Sequence, residues 1–392
     1  QSEVHETFKP KIIKNVLSPK YTKSGCTAKT AVNSEGNGVR LTEKEYDDIR
    51  EHGKVTRTTV VDFNLGSRKQ IGEYLVEFGW KPKNRTPTGQ PIVDEGTLNK
   101  VKNIPEAAMI AKYLMLQKRL AQIKSWLKEV NDNTDRVHGY VNPNGAVTSR
   151  MTHSHPNMAQ VPSSKSPYGP ECRSCWTVPK GYKLVGIDAS GLELRMLAHE
   201  MNDKGYTNEI LNGDIHTANQ KLAGLKSRNQ AKTFIYALNY GAGDAKLGSV
   251  VGGNREAGKR LRERFFSGLP SFKTLKDRVS REAASGSIKA LDGRRLTVRS
   301  EHAALNTLLQ GNGAIVMKQA LIYLNDKIKD KGIDAKFVAN VHDEWQLEVR
   351  EDQADAVGRL GVQALRETTC TFKLNCPLDG EYNVGDNWYE TH

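Results

Sequence analysis

The sequence predicts an α+β protein in which helices and a small antiparallel sheet occupy separate stretches of chain. Three observations point there. The apolar run Tyr182–Ile187 reads as a buried strand ending at Asp188. An almost unbroken helical pattern follows from about Ile215 to Glu282. Two short β-patterned runs, Lys336–Val341 and Trp345–Val349, then flank His342-Asp343-Glu344 and read as a hairpin. Runs of one element type followed by runs of the other give α+β rather than alternating α/β. A chain of 392 residues suggests two or three structural units around one or two cores.

Charge narrows the function classes. There are 58 Lys+Arg against 45 Asp+Glu, a net charge of +13 before histidine is counted. That balance favours a polyanionic partner, with nucleic acid the leading candidate. The hydrophobic content of 37% and mean hydropathy of −0.60 lie at the polar end of globular chains. No apolar run reaches the roughly 18 residues of a membrane span, so no membrane partner is expected. The first residue is Gln1 and no charged-then-apolar leader follows, so a fragment or processed chain without secretion is expected. Five cysteines cannot all pair, which favours a reducing compartment.

Residues 1–60 read as an arm or linker, or the remnant of a larger region. Lys9, Lys11, Lys14, Lys20, Lys23 and Lys29 are interleaved with Ser, Thr, Gly and Asn, with little apolar periodicity. A helix is predicted from Ser67, with Ile71, Tyr74, Leu75 and Phe78 on one face and Gly79 as the stop. From Pro105 to Val130, the residues Met109, Tyr113, Leu116, Leu120, Ile123, Leu127 and Val130 form an apolar seam, so a long core-packed helix is expected. Its off-seam Lys112, Lys118, Arg119, Lys124 and Lys128 make either a solvated face or one that tracks a phosphate backbone. Residues 136–176 are rich in Gly, Pro, Asn and Ser with short β-like pieces; helices are expected near Leu192 and over Ala303–Lys329.

Two carboxylates stand out. Asp188 ends a buried strand and Asp343 lies at a hairpin tip beside Glu344. Held on neighbouring strands, such a pair would grip two Mg²⁺ ions about 3.5–4 Å apart, the arrangement suited to in-line phosphoryl displacement. Taken singly, Asp188 reads equally as a helix cap and Asp343 as a turn residue.

Between them lies a more specific pattern. Ser227-Arg228-Asn229-Gln230 has the form of a capping box, and Gly241 and Gly243 supply a stop, so Arg228–Tyr240 should be helical. At about 100° per residue, Arg228, Lys232, Tyr236 and Tyr240 drift by only about 40° per step and form one stripe. Two cations near a helix N-terminus followed by two rings suit a ligand with phosphates at one end and a base at the other. Phe234, Ile235 and Leu238 provide a separate core face.

Asp188–Arg195, the Arg228–Tyr240 helix and His342-Asp343-Glu344 resemble, in this order, motifs A, B and C of family A DNA polymerases, the family of bacterial DNA polymerase I. Asn142–Thr148, Asn212–His216 and Ala303–Gln310 look most like the replicative polymerases of T-seven-like short-tailed phages. The similarity runs from about residue 60 to the end of the chain. It implies a right-hand fold with an antiparallel-sheet palm, helical fingers and a partial thumb. The expected boundaries are a thumb at 61–135, a palm at 136–200 and 301–392, and fingers at 201–300.

The resemblance also implies roles. Asp188 and Asp343 would bind both Mg²⁺ ions (Mn²⁺ substituting), with the backbone carbonyl of Ala189 as a further ligand and Glu344 assisting nearby. Arg228, Lys232 and His216 would contact the incoming triphosphate, and Lys232 would also protonate the pyrophosphate. Glu193 and Tyr240 resemble a steric gate against ribose; Tyr236 would supply a hydroxyl that permits dideoxynucleotides. Arg150, Asn306 and Gln310 would reach the minor groove at the primer terminus, where N3 and O2 acceptors are common to all correct pairs. His342 would lie near the primer 3′ end and Arg173 on the primer–template backbone. Taken alone, these residues also read as ordinary exposed polar groups or, for His342, a turn residue. The partners implied are primer–template DNA and dNTPs, with a separate exonuclease chain or a processivity factor. The setting would be DNA replication in the cytoplasm of an infected bacterial host.

No proofreading Asp-x-Glu strand is recognisable, so no 3′→5′ exonuclease is expected in this chain; nor is a long thumb insertion of the kind that docks host thioredoxin. Cys172, Cys175, Cys370 and Cys376 have irregular spacing for structural zinc. Two rival readings stand beside the polymerase: a single-subunit RNA polymerase, which Glu193 opposes, and a non-catalytic DNA-binding subunit, which the joint presence of Asp188, Asp343, Arg228, Lys232 and Tyr236 opposes.

Overall fold

The computed structural model describes residues 2–22 and 27–392; Gln1, Lys23 and the fifth cysteine, Cys26, lie outside them. The chain divides into two compact units, Gln1–Lys124 and Ser125–His392.

The first unit runs α1 (Ser2–Thr7), β1 (Lys11–Tyr21), β2 (Thr27–Val32), β3 (Gly38–Arg40), α2 (Glu43–His52), β4 (Val55–Val61), α3 (Arg68–Glu77), α4 (Glu95–Leu98) and α5 (Pro105–Lys128), the last continuing into the second unit. The expected unstructured arm is instead an antiparallel sheet of order β3-β2-β1-β4. Its strands are rich in β-branched residues, and β1 pairs with β4 from Lys11↔Val61 to Leu17↔Val55. The periodicity is faint because, among the described residues, the sheet's small core takes only Leu17, Ala31 and Ile49 fully inside, while Ile12, Val16 and Val60 stay exposed. α2 starts on a capping box, Thr42 with Glu45, and ends at Gly53 with φ 73°.

Around α3 the expectation holds. Ser67 caps it and Ile71, Tyr74 and Leu75 are buried with Phe8, Phe63 and Trp80. Phe78 stays 47% exposed, although its ring stacks on Phe8 at 5.3 Å. The expected seam of α5 is not its buried face. Met109, Leu120, Ile123 and Leu127 are exposed, whereas Ala107, Ile110, Ala111 and Trp126 are buried. Small alanines let a helix approach its neighbours closely, so the buried stripe is the one that counting large apolar side chains passes over. Val130 falls beyond the helix, in a short strand.

The second unit continues with β5 (Val130–Asn131), β6 (Arg136–Val137), β7 (Tyr140–Asn142), β8 (Thr152–Ser154), α6 (Gly169–Ser174), β9 (Tyr182–Ala189), α7 (Leu192–Met201), α8 (Lys204–Asn212), α9 (Ile215–Ala223), α10 (Arg228–Asn239), α11 (Asp244–Ser249), α12 (Arg255–Gly268) and α13 (Pro270–Ala283). After them come β10 (Ser287–Lys289), β11 (Arg295–Thr297), α14 (Ala304–Asp330), β12 (Ala335–Val341), β13 (Glu344–Arg350), α15 (Ala354–Thr371) and β14 (Gly380–Gly385). Residues 201–300 are helical as expected except for the β10–β11 ribbon.

Four strands form an antiparallel sheet of order β12-β13-β9-β14. Its two faces follow from the strand period of two. Val185 and Ile187 of β9 and Trp345, Leu347 and Val349 of β13 enter the large core with residues of α14 and α15. The opposite face carries Asp188 from β9 and Glu344, Gln346 and Glu348 from β13, paired Asp188↔Glu344, Gly186↔Gln346 and Leu184↔Glu348. Glu348 is buried and takes both Nη2 contacts of Arg136, at 2.8 and 2.9 Å. The helices from α8 to α13 close around Phe234, Phe265 and Phe272, whose rings meet edge-on at 5.4 Å. Among the described residues no helix is long and apolar enough to cross a membrane.

Candidate active site

Asp188 is the last polar residue of β9, and burial of Leu184–Ile187 fixes where its carboxylate emerges. β13 lies alongside, so Glu344 faces Asp188 across the ladder. One step further, the amide of Ala189 donates to the carbonyl of Asp343 at 3.0 Å. The two aspartates, 155 positions apart in sequence, therefore adjoin at one sheet edge. His342 and Asp343 form the tip joining β12 to β13, since Val341 pairs with Glu344. His342 takes φ 59°, a left-handed conformation that a non-glycine side chain adopts at a cost.

The charge is under-compensated. Burial, then the neighbouring Asp343 and Glu344, push the Asp188 carboxyl up to about 7. Glu344 behaves differently. Burial alone would raise it, but hydrogen bonds from His392, Gln346 and Trp388 outweigh that and hold it below the ordinary glutamate value. Two adjoining carboxylates, hard oxygen donors with excess negative charge, fit a divalent cation of the Mg²⁺ type, which retains water and takes further ligands from substrate. Asp188 and Asp343 would hold it.

α10 begins as expected: Ser227 accepts from the Gln230 amide, although the Gln230 side chain accepts from Lys226 rather than from Ser227. Phe234, Ile235 and Leu238 are buried, which leaves Arg228, Lys232, Tyr236 and Tyr240 on the outer stripe. Tyr240 caps the helix rather than extending it. Arg228 pairs with Asp214 at 2.7 Å, and that bond holds Asp214, the N-cap of α9, well below the usual carboxylate range. Lys232 is exposed on the same stripe. His216, in the first turn of α9, brings its ring within 6.4 Å of Tyr236. Burial, then Arg228 and Lys232 nearby, hold its imidazole below the ordinary histidine value.

The aromatic end of the stripe meets α7. Tyr240 donates its hydroxyl to Glu193 at 3.4 Å, Arg150 approaches the same Glu193 oxygen at 3.4 Å, and the Gln310 amide reaches the Tyr240 hydroxyl at 3.2 Å. Burial, Glu193 and Asp343 together raise the Tyr236 phenol, so this ring lies within the field of both acids. Asn306 stands one turn before Gln310 on α14, partly exposed. Four of the residues expected at the gate and minor groove thus form one chain of contacts, Arg150–Glu193–Tyr240–Gln310.

Arg173 departs from expectation. It is 6% exposed, its Nε donates to the Pro162 carbonyl at 3.1 Å, and its guanidinium lies over the Trp388 ring. A guanidinium in that place faces the interior and not a DNA backbone. Cys172 is buried beside Trp388 and Cys376 in the large core, in different clusters. Sequence reasoning also passed over Trp388, Gln346 and His392, which engage Glu344, and Arg195, whose guanidinium donates to the carbonyls of Ser190 and Pro377 and pins the turn after Asp188. The only signal for Trp388 and His392 was a tryptophan and a histidine late in a polar segment.

A four-stranded antiparallel sheet with acids at one edge, backed by long helices and joined to a helical subdomain, defines the palm and fingers of a right-hand polymerase. The chain belongs to DNA polymerase family A, whose model matches residues 39–390. It is 41% identical over 390 residues to the DNA-directed DNA polymerases of Enterobacteria phage T3 and Escherichia phage T7, covering 88% of this chain and 55% of each relative. The chain thus spans about half the length of these curated relatives. Its fold matches the POL domain of Pol1 from M. smegmatis, solved in complex with DNA primer-template and dNTP, with a TM-score of 0.76 at 24% identity. That match covers 84% of this chain and 62% of the other.

Proposed function

We propose that the chain is a template-directed DNA polymerase that extends a primer 3′-hydroxyl with dNTPs and releases pyrophosphate. The observation that carries this reading is the meeting of Asp188 and Asp343 at the sheet edge, beside a helix whose outer stripe runs from cations to rings. A pair of Mg²⁺ ions bound there would neutralise phosphate charge and favour ionisation of the primer hydroxyl.

The chain's own residues do the rest. Arg228, Lys232 and His216 bind the triphosphate, so the Arg228–Asp214 pair opens as nucleotide arrives. Lys232, exposed and ammonium-bearing, supplies the proton that leaves with pyrophosphate. Tyr236 carries the sugar end, and Glu193 with Tyr240 occupies the place a ribose 2′-oxygen needs. Arg150 and Gln310 are held near that gate and test base-pair geometry through the minor groove. Closing of α10 over a matched nucleotide would complete the site.

The likeness to phage polymerases supports a role in phage DNA replication within the host cytoplasm. Primer extension by the purified chain, with Mg²⁺ and dNTPs and with Asp343→Asn as control, tests the reading. Extension by the unaltered chain and none by the variant supports it; extension by neither overturns it. An end-labelled primer incubated without nucleotides should keep its length, and shortening would place a 3′→5′ exonuclease in these 392 residues.

A further inference from the structure

The polar face of β13 carries a cluster beyond the roles proposed above. Glu344 and Gln346 are 5% and 1% exposed. The segment after β14 folds back over them so closely that a Cβ at Gly186 would run into the Thr391 carbonyl. This segment delivers the Trp388 indole N–H to Glu344 Oε1 at 2.5 Å and His392 Nδ1 to Oε2 at 2.8 Å. Gln346 donates to Oε1 as well, at 2.5 Å, and its own carbonyl accepts from Thr391 at 2.8 Å, which fixes the amide. Both oxygens of Glu344 are thereby committed to protein donors.

Behind Trp388 stands Arg173, with its guanidinium carbon 4.6 Å from the ring centroid. Its Nη1 is buried without a hydrogen-bond partner among the described residues. A charge buried in that way is costly unless something balances it. The π face of Trp388 and the Glu344 carboxylate beyond it provide the balance. The order of contacts is Arg173, Trp388, Glu344, His392, and it lies directly behind the Asp188–Asp343 edge.

We propose that Trp388 and His392, backed by Arg173, are positioning residues that hold Glu344 in place, and that this held carboxylate keeps the Asp188–Asp343 pair in the geometry that takes up divalent cation. The role of the cation rests on the polymerase reading, but the cation affinity can be measured without it. Trp388→Phe removes the N–H donor and keeps a ring beneath Arg173. His392→Ala removes the second donor, and His392→Asn returns an amide donor near the Nδ1 position.

The full chain and each variant are titrated with Mn²⁺ alone by electron paramagnetic resonance at fixed pH, then assayed for kcat and KM in primer extension. Trp388→Phe and His392→Ala should each weaken Mn²⁺ binding and lower kcat by roughly tenfold, the usual cost of losing a partner that orients a ligand. KM for primer–template should stay within about twofold, and His392→Asn should recover most of the loss. Unchanged Mn²⁺ affinity in both donor-removing variants overturns the proposal. So does a loss that merely follows a fallen unfolding midpoint and is not recovered by His392→Asn. If the unaltered chain extends no primer, the polymerase reading fails while the Mn²⁺ titration still decides this one.

Discussion

Ala189 donates its amide to the carbonyl of Asp343, one step beyond the pairing of Asp188 with Glu344. This register is what makes the site. Side chains alternate across a strand, so a slip of one residue between β9 and β13 would turn Asp188 or Glu344 toward the helices. The core residues Ile187 and Trp345, both fully buried and directly paired, oppose that slip.

The raised Asp188 carboxyl sets a pH dependence with a definite sign. Its folded value of about 7 lies above the ordinary aspartate value of 3.8, so the folded state binds the extra proton between these limits. In EDTA, stability should fall as pH rises from about 4 to about 7, and Asp188→Asn should flatten that component. Mn²⁺ affinity should weaken as pH drops through about 7, because proton and cation compete for one carboxylate. Thermal unfolding and Mn²⁺ titration across pH 5–8 check both; a variant with the same slope as the unaltered chain counts against the assignment.

Tyr236 presents a hydroxyl in the field of Glu193 and Asp343. If that hydroxyl substitutes for a missing sugar 3′-oxygen, the unaltered chain takes dideoxynucleotides readily. Tyr236→Phe should then raise discrimination against them by roughly five- to thirtyfold, the worth of one or two kcal/mol of hydrogen bonding. Competitive incorporation of ddNTP and dNTP measures it, and unchanged discrimination refutes the role.

Glu193 is bracketed by Arg150 and Tyr240. Glu193→Ala should open space for a 2′-hydroxyl and raise the rNTP to dNTP efficiency ratio by roughly tenfold or more, since excluding the wrong sugar depends on a filled, polar site. A parent chain that prefers rNTPs would instead support the RNA polymerase reading.

Gly186 of β9 has no space for a side chain beneath the segment that follows β14. Gly186→Ala should destabilise the fold by about 1–3 kcal/mol through overpacking against Thr391 and Gln346. Chemical denaturation of the two proteins reads the difference directly, and equal midpoints would show that the segment after β14 is loosely seated.

The site was legible where chemistry and local structure share a signal. The apolar strand before Asp188, the hairpin around Asp343 and the cap and two faces of α10 are short-range patterns, and each stands where the sequence puts it. Long-range partners left no such trace. Arg173 reads as an exposed cation until Trp388, 215 positions away, is placed beneath it. The Glu344 network depends on residues 44 and 48 positions downstream, with no spacing rule to announce them. The β1–β4 sheet was missed because its small core leaves β-branched strands largely exposed, and the buried face of α5 because alanines, not leucines, mark it.

The proposed polymerase activity requires Asp188 and Asp343 to act as one cation-binding pair for nucleotide addition. Single-turnover primer extension with Mg²⁺, comparing the unaltered chain with Asp188→Asn and Asp343→Asn, tests it most directly. Each variant should bind primer–template as the unaltered chain does yet extend it at least about a thousandfold more slowly, as expected when charge stabilisation supplies most of the catalysis. Extension by either variant at the unaltered rate would show that nucleotide addition does not depend on the pair.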